Sequence, residues 1–333
     1  MYHRWLDRWD ERRANRGDEP KRKADFALGA DLAFSSADKV SGIADFCRLA
    51  EKAANDPSFY DDPTETLAGI EVADGWIKFP SGIVTHCETN NVVWAKVTES
   101  GSLDHALVVF HHWNATKRNR QIASFFSKRG ITVVEITLPY HFERSRPGSK
   151  HADFMLSSNL GRTIQSTRQA VWDARKLIHW LKNEGYGQIS VLGMSLGSWV
   201  AGLVAAHEPA VSKASLFLTA GSLADMVWTG RATLLIRESL EPYIELTDLN
   251  RAWRILNLET YAEKLSRPDL DLQIVLAKRD TVVLPELSER LLGSLKKAGA
   301  KPDILNLNCG HYSLSLPPHI IFAGWRLKRL LGR

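Results

Sequence analysis

From about residue 105 the chain alternates short apolar runs with longer stretches in which apolar residues recur at helical spacing. Ala106-Leu107-Val108-Val109-Phe110 has strand length and no polar interruption, and a helical pattern over 118–128 follows, closed by Gly130. The strand Ile131 to Leu138, the long amphipathic helix Leu160 to Leu181 ending at Gly185, and the strand Gln188 to Leu192 come next. A helix over 196–206, the strand Ala214 to Leu218, the strand Leu272 to Ala277, a helix over 286–297, the strand Asp303 to Leu307 and a last helix from about 318 complete the series. Short apolar runs alternating with helices in this way mean βαβ units. The expectation is an α/β fold with a mostly parallel central sheet flanked by helices.

Two segments depart from this rhythm. Residues 1–70 open with mixed charge and continue into a helical pattern (Ile43, Phe46, Leu49, Ala50), so they are expected to form a helical N-terminal extension packed on a main domain of 71–333. The change falls near Asp62-Pro63, beyond which Trp76 to Phe79 and Val92 to Val97 read as strands, with turn-prone Asn90-Asn91 before the second. Residues 222–268, rich in Trp, Leu and Glu, interrupt the alternation and are expected to be an inserted helical lid.

Composition narrows the class. The 333 residues are 44% hydrophobic and 24% charged, which excludes a disordered, collagenous or disulfide-stapled chain. Three Cys (Cys47, Cys87, Cys309) lie far apart, which argues for a reducing compartment and against a zinc knuckle. The first residues, Met1-Tyr2-His3-Arg4-Trp5-Leu6-Asp7-Arg8, lack a signal-peptide apolar core, and no apolar stretch reaches the roughly 18 residues of a membrane span. A cytoplasmic protein is the expectation. A net charge of +5 is small beside 43 basic and 38 acidic residues, and the basic residues do not concentrate on one element, so no nucleic acid is expected as partner.

The sharpest chemistry is Gly193-Met194-Ser195-Leu196-Gly197 between an apolar strand and a helical run. This G-x-S-x-G pattern sets a serine on a strained strand-to-helix turn, with glycines where neighbouring backbones leave no room for a Cβ. A hydroxyl is a weak nucleophile and needs a base and an acid to orient that base. The chain order for such an elbow is Ser, acid, His. Asp280 follows the strand ending at Ala277, and His311 follows the last strand behind Gly310, so both stand where parallel sheets hold their sites. Asp225, just after the strand that follows the elbow helix, is the rival acid. Oxyanion donors are expected from the backbone N–H of Leu196 and of Trp113 (His112 is the alternative), in the loop His111-His112-Trp113-Asn114. Structural packing, rather than metal binding, is the expectation for the adjacent His111 and His112, since no H-x-x-x-H or H-E-x-x-H partner exists.

The elbow, the acid after the penultimate strand, the His after the last one and the His-rich loop together resemble the α/β-hydrolase superfamily over roughly 75–333. Leu138-Pro139-Tyr140-His141 with Arg146-Pro147, the run Trp180 to Gly187, and Gly310-His311-Tyr312-Ser313 are similar to abhydrolase-domain family 18. Ser198 stands where the family pattern has Gly, and the oxyanion loop lacks the usual Gly; both bear on the width of the acyl pocket. The resemblance implies a serine hydrolase acting on a carboxylic ester, without metal or organic cofactor.

Weaker signals complete the reading. Arg144 and Arg146 are candidates to hold an anionic substrate group, with a solvated loop as the bland alternative. Cys309 sits beside the site and is expected to pack. Trp113, Trp228 and Trp253 are candidates to line an apolar pocket. The basic tail Trp325 to Leu331 has two readings, docking on the core or peripheral contact with an anionic membrane. Two functions other than ester hydrolysis stay open, an acyltransferase on the same scaffold and a non-catalytic binding protein. The substrate of the first reading is a small-molecule or lipid ester.

Overall fold

A computed structural model describes residues 2–18, 21–35, 40–61 and 66–332, and the expected break at Asp62-Pro63 lies outside them. Along the chain come α1 (Tyr2–Asp18), α2 (Ala30–Ala33), α3 (Ile43–Ala54), β1 (Glu71–Ala73), β2 (Trp76–Pro80), β3 (Val92–Thr98), β4 (His105–Phe110), α4 (Arg120–Ser127) and β5 (Ile131–Ile136). Next are α5 (Leu160–Asn183), β6 (Gln188–Met194), α6 (Leu196–His207), β7 (Val211–Phe217), α7 (Leu223–Thr229), α8 (Leu234–Leu240), α9 (Leu246–Ala252) and α10 (Ala262–Leu265). The chain closes with β8 (Asp271–Ala277), α11 (Pro285–Lys297), β9 (Asp303–Leu307) and α12 (His319–Leu331).

The strands form one sheet in the order β1-β2-β3-β5-β4-β6-β7-β8-β9. Pairing is antiparallel from β1 to β5 and parallel from β5 to β9. The mostly parallel α/β sheet is therefore as expected. β1 is an addition: Glu71, Val72 and Ala73 are all exposed, so they carry no alternation, and the turn Asp74-Gly75, both with positive φ, folds them onto β2.

Helices cover both faces. On one, α5, α6 and α11 pack around Ile164, Leu177, Val200, Leu203 and Leu291; on the other, Phe126 of α4 and Leu327 and Leu330 of α12 belong to a second buried cluster. Each leucine so buried contributes about 1.5–3 kcal/mol. Every residue of α6 is buried, as its all-round apolar sequence demands. Asn159 caps α5 by accepting from the Arg162 N–H at 2.9 Å. The tail helix α12 docks on the core, yet it leaves Ile321, Phe322 and Trp325 exposed. Among the described residues no helix is long and apolar enough to cross a membrane.

Among the described residues before 62 there are three helices, α1, α2 and α3. α3 packs on α9 and α2 on α5, and α1 crosses the loops at the carboxyl ends of β8 and β9. Trp253, expected to line a pocket, is instead fully buried, its Nε1 donating to the Leu160 carbonyl at 3.2 Å. A large ring with its one donor satisfied by backbone builds core.

Candidate active site

Central β6 lies between β4 and β7, so whatever follows its last residue emerges at the middle of the carboxyl edge of the sheet. Ser195 does so with φ 52° and ψ −123°, backbone angles that cost a non-glycine residue about 1–3 kcal/mol and persist only when the surroundings enforce them. Here the Ser195 N–H donates to the Phe217 carbonyl at 2.9 Å. The Ser195 carbonyl accepts from the Ser198 N–H at 2.7 Å and from the Ser198 hydroxyl at 2.6 Å. Ser198, a departure from the family pattern, thus has a local role in holding the turn.

The flanking glycines are sterically required. A Cβ on Gly193 would meet the Gly197 carbonyl and stand 2.6 Å from the Ser198 Cα. One on Gly197 would meet the carbonyl oxygens of Phe110 and His111 and stand 2.7 Å from the Phe110 carbonyl carbon. All of these are backbone atoms, which cannot swing away. Gly197→Ala is expected to destabilise the fold by about 1–3 kcal/mol through overpacking. A thermal melt checks this, and an unchanged Tm would contradict it.

His311 links the serine to a carboxylate. Its Nε2 lies 3.1 Å from the Ser195 Oγ and its Nδ1 2.8 Å from the Asp280 Oδ2. The other oxygen of Asp280, Oδ1, accepts the N–H groups of Val282 and Val283, each at 2.8 Å. The imidazole side chain is 8% exposed and the carboxylate 2%, so water competes little for either. An ionised carboxylate at Nδ1 makes that nitrogen the donor and leaves Nε2 free to accept from a hydroxyl. His311, 31 residues from Asp280 and 116 from Ser195 along the chain, joins both in one hydrogen-bonded row.

The rival acid points elsewhere. Asp225 is bound by Arg290 and accepts from the Asn250 amide at 2.9 Å; burial pushes its pKa up, but these hydrogen bonds hold it below the usual value.

Leu196 opens α6, so its N–H has no acceptor within the helix. In the 111–114 loop the Asn114 N–H is taken by the His141 Nε2 at 3.0 Å. The two buried histidines brace this loop. His111 Nδ1 donates to the His112 carbonyl at 2.9 Å, and its Nε2 accepts from the Leu138 N–H at 3.2 Å. His141 Nδ1 donates to the Pro139 carbonyl at 2.9 Å, and the two rings meet edge to face at 4.7 Å. Burial pushes both imidazoles down, His141 to about 4, and keeps them neutral. His141 is a site residue that the chemistry-bearing motifs alone do not single out. Among the described residues no three His, Cys, Asp or Glu side chains gather as a metal site.

Arg144 requires a correction. Rather than facing a substrate, it is fully buried, donating to the Asp173 carboxylate at 2.8 Å and to the carbonyls of Asn90 and Thr137. With its donors bound inside the protein it has none to offer an anion. Arg144→Met leaves Asp173 buried and unpaired and is expected to cost about 3–5 kcal/mol. Chemical denaturation measures that loss, and a shift under 1 kcal/mol would contradict it. Arg146 is exposed, 3.8 Å from Asp153 and stacked over Phe154. Cys309 is fully buried, and burial pushes its thiol up to about 12, so it packs unreactive.

Residues 111–234 match the family described as alpha/beta hydrolase domain containing 18. An uncharacterised protein of Mycobacterium tuberculosis is 30% identical over 131 residues, which are 39% of this chain and 29% of the relative. The chain thus aligns with under a third of the length of the curated relatives it matches. Among solved structures, an acetyl xylan esterase from Paenibacillus is 13% identical, with a TM-score of 0.61 over 91% of this chain and 98% of its own. An acetyl xylan esterase from Thermoanaerobacterium is 16% identical, with a TM-score of 0.60 over 93% and 95%. The acylaminoacyl peptidase of Pyrococcus horikoshii is 12% identical, with a TM-score of 0.59 over 73% of this chain and 39% of its own. At these identities the likeness is one of fold.

Proposed function

Starting from an α/β-hydrolase fold, we propose that this chain is a serine hydrolase that cleaves carboxylic esters through Ser195, His311 and Asp280. The observation that carries the reading is the hydrogen-bonded row at 3.1 and 2.8 Å on the carboxyl edge of the sheet. Ser195 attacks the acyl carbon while His311 Nε2 takes its proton. Asp280 holds the Nδ1–H tautomer and balances the imidazolium. The N–H groups of Leu196 and Trp113 receive the oxyanion. The leaving alcohol takes the proton from His311, and water repeats the sequence on the acyl-enzyme.

Residues 71–333 are the hydrolase unit, 222–268 its lid and 1–70 an extension that reaches the site. The three cysteines are free and buried, as suits a cytoplasmic enzyme. A panel of p-nitrophenyl and phospholipid esters of graded acyl length tests the function, with Ser195→Ala as control. Turnover by the wild type alone is expected. Equal turnover by both, or by neither, would overturn it. Product analysis with added alcohols distinguishes acyl transfer from hydrolysis.

A further inference from the structure

Helix α1 carries a face of Leu6, Asp7, Asp10 and Ala14, spaced to lie on one side, and it turns this face toward the loops that hold Asp280 and His311. Asp7 pairs with Arg279, the neighbour of Asp280, whose Nε donates to the Asp7 carboxylate at 2.9 Å. Asp10 Oδ1 accepts the N–H of Tyr312 at 2.7 Å and that of Ser313 at 3.0 Å, directly after His311. These amides begin the 3-10 turn Ser313–Ser315, so a side chain some 300 residues earlier caps that turn. Within the loop the Ser313 hydroxyl accepts the Gly310 N–H at 2.9 Å. On the other side of His311, a Cβ on Gly310 would stand 2.6 Å from the Asp10 Cγ. Gly310 is thus shaped to admit this carboxylate, whose second oxygen is buried without a hydrogen-bond partner among the described residues.

We infer that α1 belongs to the working site and that Asp10 is a positioning residue for His311, an inference that rests on the hydrolase reading above. The loop that carries the imidazole is held before His311 by the Arg279 N–H, which donates to the Cys309 carbonyl at 3.0 Å, and after His311 by Asp10. Clamping the next two amides keeps Nε2 within reach of Ser195 while Nδ1 stays on Asp280. A displacement of about 1 Å in a reacting group costs on the order of a hundredfold in rate.

The test uses the full chain, with Asp10→Ala and Asp10→Asn beside wild type. Hydrogen exchange of the peptide over 308–316, kcat and KM on p-nitrophenyl acetate, and Tm are measured together. Asp10→Ala is expected to speed exchange at the Tyr312 and Ser313 amides by tenfold or more, leaving α5 and α6 protected. Its kcat is expected to fall by about ten- to a hundredfold with KM within about threefold. Asp10→Asn keeps an oxygen acceptor and is expected to recover most of both losses. Wild-type exchange in Asp10→Ala, or faster exchange with unchanged kcat, would overturn the inference. So would a general loss of protection in which Asn rescues nothing. An inactive wild type would overturn the hydrolase reading instead, and the exchange measurement would still decide whether Asp10 clamps the loop.

Discussion

Ser195→Ala is expected to lower kcat on an activated ester by about a millionfold, with KM nearly unchanged. The size follows from the way the row acts. Without the hydroxyl there is no acyl-enzyme, so His311 and Asp280 are left with nothing to activate, and the loss equals that of the whole unit. A residual acceleration of about a thousandfold over water remains, because oxyanion donors and binding survive the substitution. The change removes one oxygen from a half-buried residue whose backbone bonds, to Phe217 and from Ser198, do not involve it. The fold is therefore expected to persist. A loss of kcat below a hundredfold would contradict the role given to Ser195.

Asp280→Asn is expected to cost about 10⁴ in kcat, and the cause is a tautomer rather than a lost contact. Oδ1 is committed to two backbone donors, Val282 and Val283 at 2.8 Å, so the amide places its oxygen there and turns its NH₂ toward His311. Nδ1 must then accept, the proton moves to Nε2, and that nitrogen can no longer take the Ser195 proton. The parallel change Asp225→Asn is expected to leave kcat within a few-fold, since Asp225 engages Arg290 and Asn250 instead of the imidazole. Steady-state kinetics on both variants decides. An Asp280→Asn enzyme within tenfold of wild type would contradict the assignment.

How much of this was legible before the structure depends on the range of each interaction. β4, β6 and β7 carry short apolar runs, and Gly193 and Gly197 mark the elbow by local sterics, so pattern and spacing suffice to find them. Asp280 and His311 were legible as strand-end positions, because chain order and topology together place them. Arg144 was misread because its partners, Asp173 and Asn90, are 29 and 54 residues away and nothing in the local pattern marks a charge as buried. Asp10 was invisible for the same reason at greater distance: in a mixed-charge helix an aspartate that caps a remote turn looks like any solvated one. β1 escaped because exposed residues leave no alternation to read.

The most direct measurement of the central claim is intact-mass and peptide analysis after exposure to a fluorophosphonate. The expected result is a single phosphonyl adduct on the peptide containing Ser195 in the wild type and none in Ser195→Ala. No adduct on either protein, or an adduct of equal yield on both, would contradict a nucleophilic Ser195.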